Sequence, residues 1–420
     1  MNSKGRNDNR WKILVAIFAM CWVFTYGHRM LLSPVLVSIE KEWFLSNTEL
    51  GLLSSTLFFA YAILQIPAGI LADRFGRNNL LIAGLLLQSF AVIGSGLAGN
   101  VRTFVIMRLL TGVGQGTLFA SLFGLASSNI SEKKRTLGLA IIHAGMPLGV
   151  VYGLVFSSQL TYNIGFSWRT SFILSGLALF FVTGFIIFYF NRIGSYLRIN
   201  ENNVTKADSP KENISLKLFN RNMVVISLCN FLEAYGIFVI FAWLPYYLTS
   251  RGFSELYAGN ISSLISLLTI PSTILFALLS VKAGRKKPII MLQMPISITA
   301  LLFIVTTEIH WLLITALLVN GLAGKMATGP LHIALISESA GREKISTAFG
   351  IYNSMGALAM ITGPSITGYL ADLTGTIESG LYLAIFFQVV AMAIFYIWVK
   401  EKGPVSSISP SGGQEGDVRG

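Results

Sequence analysis

Apolar runs long enough to cross a bilayer, which takes about 20 helical residues, recur along the whole 420-residue chain between short polar turns. They predict helices over 13–38, 48–72, 79–98, 103–127, 137–160 and 168–190, and again over 222–248, 256–281, 287–307, 311–337, 345–370 and 379–399. Between the two sets lies the polar stretch 191–221, with N-E-N-N and K-A-D-S-P-K-E-N, which is too hydrophilic to pack as core. The pattern predicts an all-α membrane protein of twelve transmembrane helices in two pseudo-symmetric halves. The expected units are an N-terminal six-helix half (1–190), a cytoplasmic linker (191–221), a C-terminal six-helix half (222–400) and a disordered cytoplasmic tail (401–420), rich in Ser, Gly and Pro.

Basic residues orient this layout, because Lys and Arg collect on the cytoplasmic side of short loops. With both termini cytoplasmic, all but seven of the 31 Lys and Arg residues fall on the inner side. Lys41, Arg102, Arg169 and Arg251 lie outside, and Arg29, Arg108 and Lys325 sit within predicted helices. The first apolar run, from Trp11 to about Ser38, is much longer than a signal-peptide core and is expected to stay as the first helix. The cytoplasmic (plasma) membrane is the expected location.

Composition agrees. The chain is 53% hydrophobic and 12% charged, too apolar for a water-covered surface, and its 40 glycines suit close helix packing in lipid. A net charge of +12 would suggest nucleic acid, but it is confined to short segments between apolar runs, where topology explains it and no nucleic-acid partner is implied. Cys21 and Cys229 fall inside apolar runs and make no disulfide framework. With no metal-ligand cluster or nucleotide-binding loop, neither an enzyme, a metal nor a cofactor is expected. The expected partners are the lipid bilayer, a small anionic substrate and a co-transported ion, with the protein a monomer.

The halves repeat. G-I-L-A-D-R-F-G-R-N-N (Gly69 to Asn79) aligns on its glycines with A-L-L-S-V-K-A-G-R-K-K (Ala277 to Lys287), 208 residues further on, with Val281 in place of Asp73. The first copy resembles the signature loop of the major facilitator superfamily, G-x-x-x-D-R-x-G-R-K, departing only at Asn78. R-L-L-T-G-V-G-Q-G (Arg108 to Gly116), S-W-R (Ser167 to Arg169) and G-P-S-I-T-G (Gly363 to Gly368) extend the resemblance over nearly the whole chain. It implies the fold of that superfamily, with substrate bound between the halves.

Arg29 midway along the first helix, F-A-W-L-P-Y-Y-L (Phe241 to Leu248) and I-Y-N-S-M-G (Ile351 to Gly356) are similar to the anion:cation symporter and organophosphate antiporter branches. That likeness implies Arg29 as an anion ligand, with Asn353 and the seventh-helix aromatics lining the cavity. Many proton-coupled members carry Asp just before the first-helix Arg and Glu seven residues after the fourth-helix Arg. Here those positions are His28 and Gln115, so the usual coupling carboxylates are missing. G-M-P-L-G-V (Gly145 to Val150) matches the antiporter pattern G-P-x-x-G-G only imperfectly.

Buried charges are the other source of candidates, since an intramembrane guanidinium costs at least about 2.5 kcal/mol and must face water or a partner. Arg29 is read as a forked donor to a carboxylate or phosphate, or as a structural pair with a neighbouring helix. Lys325, too deep to snorkel, is read as a second anion ligand or as the ion-pair partner of Glu233. Glu233 itself suits a proton carrier, or a conformational latch if a cation pairs with it. Arg108 is a cavity residue or an interfacial anchor, and Tyr26, Gln115, Tyr235 and Asn353 complete the substrate-binding candidates. His28 joins Glu233 as a candidate for ion coupling, while His143 and His332 are taken as hydrogen-bonding structural residues. Gly69, Asp73, Arg74, Gly76 and Arg77 are expected to gate, with Asp73 capping a neighbouring helix or pairing with Arg in one conformation only.

Three buried cations against one buried carboxylate leave an excess of two positive charges. The expectation is an alternating-access transporter for a small organic anion, taken as a carboxylate, coupled to H+ or Na+. The alternative is an efflux antiporter for a drug or metabolite, which would have a largely apolar cavity and a paired Lys325 and Glu233.

Overall fold

A computed structural model describes residues 10–204, 221–340 and 345–401, the side chains of some of them, Gly69 and Asp73 included, lying outside the description. The described residues form twelve spans. In the N-terminal half these are α1a (Arg10–Met30) and α1b (Leu36–Trp43), then α2 (Asn47–Phe75), α3 (Arg77–Gly96), α4 (Val101–Asn129), α5 (Glu132–Ser158) and α6 (Trp168–Val204). The C-terminal half comprises α7 (Arg221–Ser250), α8 (Glu255–Ala283), α9 (Lys287–Thr306), α10a (His310–Ala323), α10b (Lys325–Ala340), α11 (Ile345–Thr374) and α12 (Glu378–Trp398). Ten of the described spans are long and apolar enough to cross a membrane by length and composition. Large apolar side chains such as Phe181, Ile274 and Leu278 stand exposed on the outer faces, as a lipid solvent allows.

Two differences from the expected layout have simple causes. Helix α6 runs on to Val204, through the first part of the segment expected as linker, because polarity forbids burial but not continued helical hydrogen bonding. The remainder of that linker and the C-terminal tail fall outside the described residues. Spans 1 and 10, each expected as one run, are broken. In span 1 the chain passes through a short 3-10 turn at Ser33–Val35 containing Pro34, which has no N–H for a helix ladder. In span 10 it breaks at Gly324, whose backbone leaves no room for a Cβ beside the carbonyl of Asn320.

Geometry makes the duplication plainer than the residues do. Left-handed turns recur at Gly76 and Gly284 and at Phe44 and Gly252, each pair 208 residues apart. Ser46 caps α2 and Ser254 caps α8 at the same offset. Phe44 is the one described non-glycine with positive φ (52°), and its side chain is 91% exposed. An L-residue there costs about 1–2 kcal/mol, and Asn tolerates the conformation better. Phe44→Asn is therefore expected to stabilise the protein by about 0.5–1 kcal/mol, measured as a raised unfolding midpoint in detergent.

An ion pair is duplicated too, with its charges exchanged. At the end of the bundle away from the termini, Arg169 at the start of α6 grips Glu42 of α1b in a fork (2.6 and 2.8 Å). In the other half Arg251 at the end of α7 pairs with Glu378 at the start of α12 (3.8 Å).

Small residues bring helices together within each half. Gly145, Gly149 and Gly153 form a stripe on α5 against the backbone of α1a, where added Cβ atoms would strike the carbonyls of Ala19, Val23 and Gly27. The imperfect antiporter stretch thus lies in a packing seam.

The apolar core shows how the halves meet. Away from the termini one cluster is built from both halves, including Leu36 and Ile39 with Trp243 and Ala258. Towards the termini it divides into one cluster made only of N-terminal residues, around Phe18 and Leu122, and another made only of C-terminal ones, around Met294 and Phe395. Hydrogen bonds between the halves follow the same division. Ser33 Oγ donates to the Ala242 carbonyl (2.9 Å), Ser55 Oγ to that of Ile361 (2.7 Å), and Tyr246 to Glu40 (3.1 Å). Asp372 of α11 accepts from the backbone and side chains of Asn47 and Thr48 at the start of α2 (2.5–3.0 Å). The bundle is closed at the far end.

Candidate functional site

Among the described residues the buried charged side chains are Arg29, Arg108, Glu233 and Lys325, and they fall into two clusters, one in each half. Arg29 projects from the last turn of α1a, just before the chain breaks. Its Nε donates to Gln115 Oε1 on α4 (2.8 Å), and the Gln115 amide in turn donates to the carbonyl of Thr25 (3.1 Å). Rings of Tyr26 and Tyr61 lie 4.5 and 4.3 Å from the guanidinium carbon, with Phe58 at 5.8 Å. Aromatic faces attract a cation without consuming its hydrogen bonds. Both terminal nitrogens, Nη1 and Nη2, are buried with no hydrogen-bond partner. Arg29 also lines a cavity of water-molecule size, about 20 Å³, together with Ser33, Ser54, Arg108 and the apolar Met30, Phe58 and Phe241. A forked donor, fixed by its third nitrogen and otherwise unsatisfied, is suited to a carboxylate.

Arg108 lines the same cavity and donates from Nη1 to the carbonyl of His28 (3.1 Å). The ring of His28 turns the other way, towards α3 and α6. Gln88 approaches its Nδ1 (2.8 Å) and Ser175 Oγ its Nε2 (2.8 Å), while Tyr152 donates to that same hydroxyl (2.7 Å). The imidazole expected to take part in ion coupling is thus committed to joining helices, outside the Arg29 cavity.

In the C-terminal half, Lys325 heads α10b directly after the Gly324 break. Its Nζ lies 3.2 Å from Glu233 Oε2 on α7, and the other carboxylate oxygen lies 3.2 Å from His332 Nε2, two turns along α10b. Lys325 lines a second cavity, also of about 20 Å³, together with Thr269, Ser297, Asn320 and Gln388. Asn320 donates to Ser297 (3.4 Å) and Ser297 to Gln388 (3.3 Å). Phe241 lines both cavities, the one beside Arg29 and the one beside Lys325.

The remaining candidates scatter. Tyr235 packs edge-on against Phe387 (5.0 Å) with its hydroxyl near Thr367 (3.4 Å), away from both cavities. Asn353 is exposed on α11 and borders neither of them. Trp243 and Tyr247, two of the seventh-helix aromatics that the resemblance implied would line the cavity, donate to the carbonyls of Pro364 (3.1 Å) and Ile304 (2.9 Å) and serve as packing. In the gating loop, Gly76 has φ +85°, which permits the turn from α2 to α3. Arg77 lies across Gly124 of α4, while Arg74 is exposed. The side-chain surroundings of Gly69 and Asp73 fall outside the described residues.

Sequence reasoning did not find Phe58 and Tyr61 as the rings around Arg29, nor the cluster of Asn320, Ser297 and Gln388. Polar residues interrupting apolar runs were the available signal for the latter; nothing in the sequence marks the former.

Two duplicated six-helix halves, with Arg29 and Lys325 at the breaks of their first and tenth spans, define the architecture of the site. The model of the Major Facilitator Superfamily matches residues 17–364, with a second match over 226–416. The chain belongs to this superfamily. It is 25% identical to the hexuronate transporter of Bacillus subtilis (89% of this chain, 91% of the relative) and 24% identical to that organism's probable galactarate/D-glucarate transporter (95% and 93%). In fold it is similar to a crystal structure of a bacterial homologue of the human lysosomal transporter Spinster, described as inward-facing and occupied. The TM-score is 0.74 at 15% identity, covering 93% of this chain and 97% of the other. The protein is a multi-pass membrane transporter, not an enzyme.

Proposed function

We propose that the protein moves a small carboxylate of sugar-acid size by alternating access, coupled to a gradient of H+ or Na+, with Arg29 as the ligand of the carboxylate. The observation that carries the reading is the Arg29 fork: two buried nitrogens without acceptors, beside a cavity, in a segment where each unsatisfied donor is costly. Support comes from the hexuronate and galactarate/D-glucarate transporters that the chain resembles over most of its length. Placing both termini in the cytoplasm, with the protein in the plasma membrane, makes the closed far end the outer one and the described conformation inward-facing.

The pairing of Lys325 with Glu233 is what the efflux alternative would also show, but it cancels within itself and leaves Arg29 and Arg108 as the uncompensated positive pair. Uptake of radiolabelled glucuronate, glucarate and glycerol phosphate into proteoliposomes under imposed pH or Na+ gradients tests the reading. Gradient-driven accumulation of a sugar acid is expected. Movement of cationic dyes with no accumulation of any of the three anions would overturn it.

A further inference from the structure

The groups around the Arg29 cavity do not satisfy one another. Arg29 brings two donors without acceptors, Nη1 and Nη2, and Arg108 brings a third, Nε, which is also buried with no hydrogen-bond partner among the described residues. The two guanidiniums are neighbours through the backbone, since Arg108 Nη1 holds the carbonyl of His28, the residue before Arg29 (3.1 Å). The other polar residues of the lining are Ser33 and Ser54. Their hydroxyl hydrogens are already committed, Ser33 to the carbonyl of Ala242 and Ser54 to that of Leu50 (2.9 Å each). A carbonyl oxygen only accepts, so each serine has only lone pairs left to offer the cavity. The lining thus holds three charged donors and, separately, two oxygens that can only accept.

We propose that this site recognises 2-hydroxy carboxylates: the carboxylate lies on the Arg29 fork, and the hydroxyl of the neighbouring carbon accepts from Arg108 Nε and donates to a serine oxygen. Only a hydroxyl fills that second place. It accepts and donates at one oxygen, whereas an ionised phosphate oxygen or a ketone only accepts and would set its lone pairs against those of the serines. Among the described residues no acidic side chain lines the cavity, so none competes for the donors. Open-chain sugar acids carry this hydroxyl beside the carboxylate. In the ring form of a hexuronate the same position is an ether oxygen, which has no hydrogen to give. Arg108 then acts as a specificity residue, reading the atom next to the anion.

The cavity, about 20 Å³, holds one oxygen-sized group, and its lining shows which side yields to a larger guest. Arg29 is fixed by Gln115 (2.8 Å) and Arg108 by the His28 carbonyl (3.1 Å). Met30, Phe58 and Phe241 form the apolar side and can move without breaking a side-chain hydrogen bond. The substrate thus meets fixed donors and a yielding apolar wall, against which its carbons lie. An acid without the hydroxyl closes the site with Arg108 Nε and the serine lone pairs unpaired, and a site built for a hydroxyl rejects such an analogue strongly.

This inference rests on the reading of Arg29 as the ligand of a carboxylate, and the test separates the two. Whichever of radiolabelled glucuronate, glucarate and gluconate accumulates in proteoliposomes is competed with unlabelled gluconate, 2-deoxygluconate, glucuronate and glycerol phosphate. Gluconate is expected to halve uptake at a concentration at least about 100-fold below that of 2-deoxygluconate, with glucuronate between them. In Arg108→Met that ratio is expected to fall below about tenfold, because the donor to the hydroxyl is gone. If Arg108→Met fails to fold, the double variant Ser33→Ala, Ser54→Ala decides, with the same fall expected, since the hydroxyl then has no acceptor. Equal competition by gluconate and 2-deoxygluconate in the wild type, or an unchanged ratio in the folded variant, would overturn the hydroxyl site while leaving the carboxylate reading intact. Accumulation of none of the three acids, or competition by glycerol phosphate ahead of gluconate, would overturn both.

Discussion

Arg29→Ala is expected to abolish anion uptake without weakening the fold. The guanidinium presents two buried donors to the cavity, and each hydrogen bond from a charged donor to a carboxylate contributes about 1.5–3 kcal/mol. Losing both, about 3–6 kcal/mol, lowers apparent affinity by roughly 10²–10⁴-fold. Removing the arginine also removes an intramembrane charge that costs at least about 2.5 kcal/mol, offset by the Gln115 oxygen left without its donor at about 1–3 kcal/mol, so the substrate-free variant should unfold near the wild-type temperature. A structural role would show the opposite pattern, since breaking a buried ion pair destabilises. Arg29→Lys keeps the charge but loses both the fork and the bond to Gln115, and is expected to recover little uptake. Uptake titrations paired with thermal unfolding in detergent read both effects. A variant that takes up anion normally would remove Arg29 from the site.

Asp372→Ala is expected to open the far end. Its carboxylate accepts the N–H groups of Asn47 and Thr48 in the first turn of α2, acting from the other half as a second cap on that helix. The contact is exposed, so the cost is up to about 1 kcal/mol rather than the value for a buried charge, enough to move the balance between far-end-closed and far-end-open states up to about fivefold. Spin labels at Phe44 and Thr376, on exposed turns of opposite halves, would report a longer distance in a larger fraction of molecules. Asp372→Asn, which keeps one acceptor, should fall between. An unchanged distance distribution would show that the apolar core shared by the halves alone keeps that end shut.

The spans and the buried charges were legible because both are local. A run of apolar residues announces a helix, and a lone Arg29 or Lys325 inside one announces a cost that something must offset. What those charges touch was not legible. Arg29 meets Gln115 and Glu233 meets His332 across 86 and 99 residues of chain, and no spacing rule within one helix connects them. His28 misled for a related reason: neighbours on a helix point about 100° apart, and this imidazole faces the interior of its own half. The repeat was visible at Gly76 and Gly284 because only glycine suits that turn. At Phe44 and Gly252 the backbone conformation persisted while the side chains diverged. The breaks at Ser33–Val35 and Gly324 were hidden inside apolar runs, where hydropathy records burial and not the course of the backbone.

The exchanged polarity of the two rim ion pairs bears on how the chain assembles. Duplicated halves risk mismatch, with the first helix of one docking against the last helix of the other. Here such an error would set Glu42 of α1b beside Glu378 of α12, or Arg251 of α7 beside Arg169 of α6, and like charges meet in both cases. The two rim pairs thereby disfavour, by the modest amount that partly exposed charges supply, docking of either half's first helix against the other's closing helix.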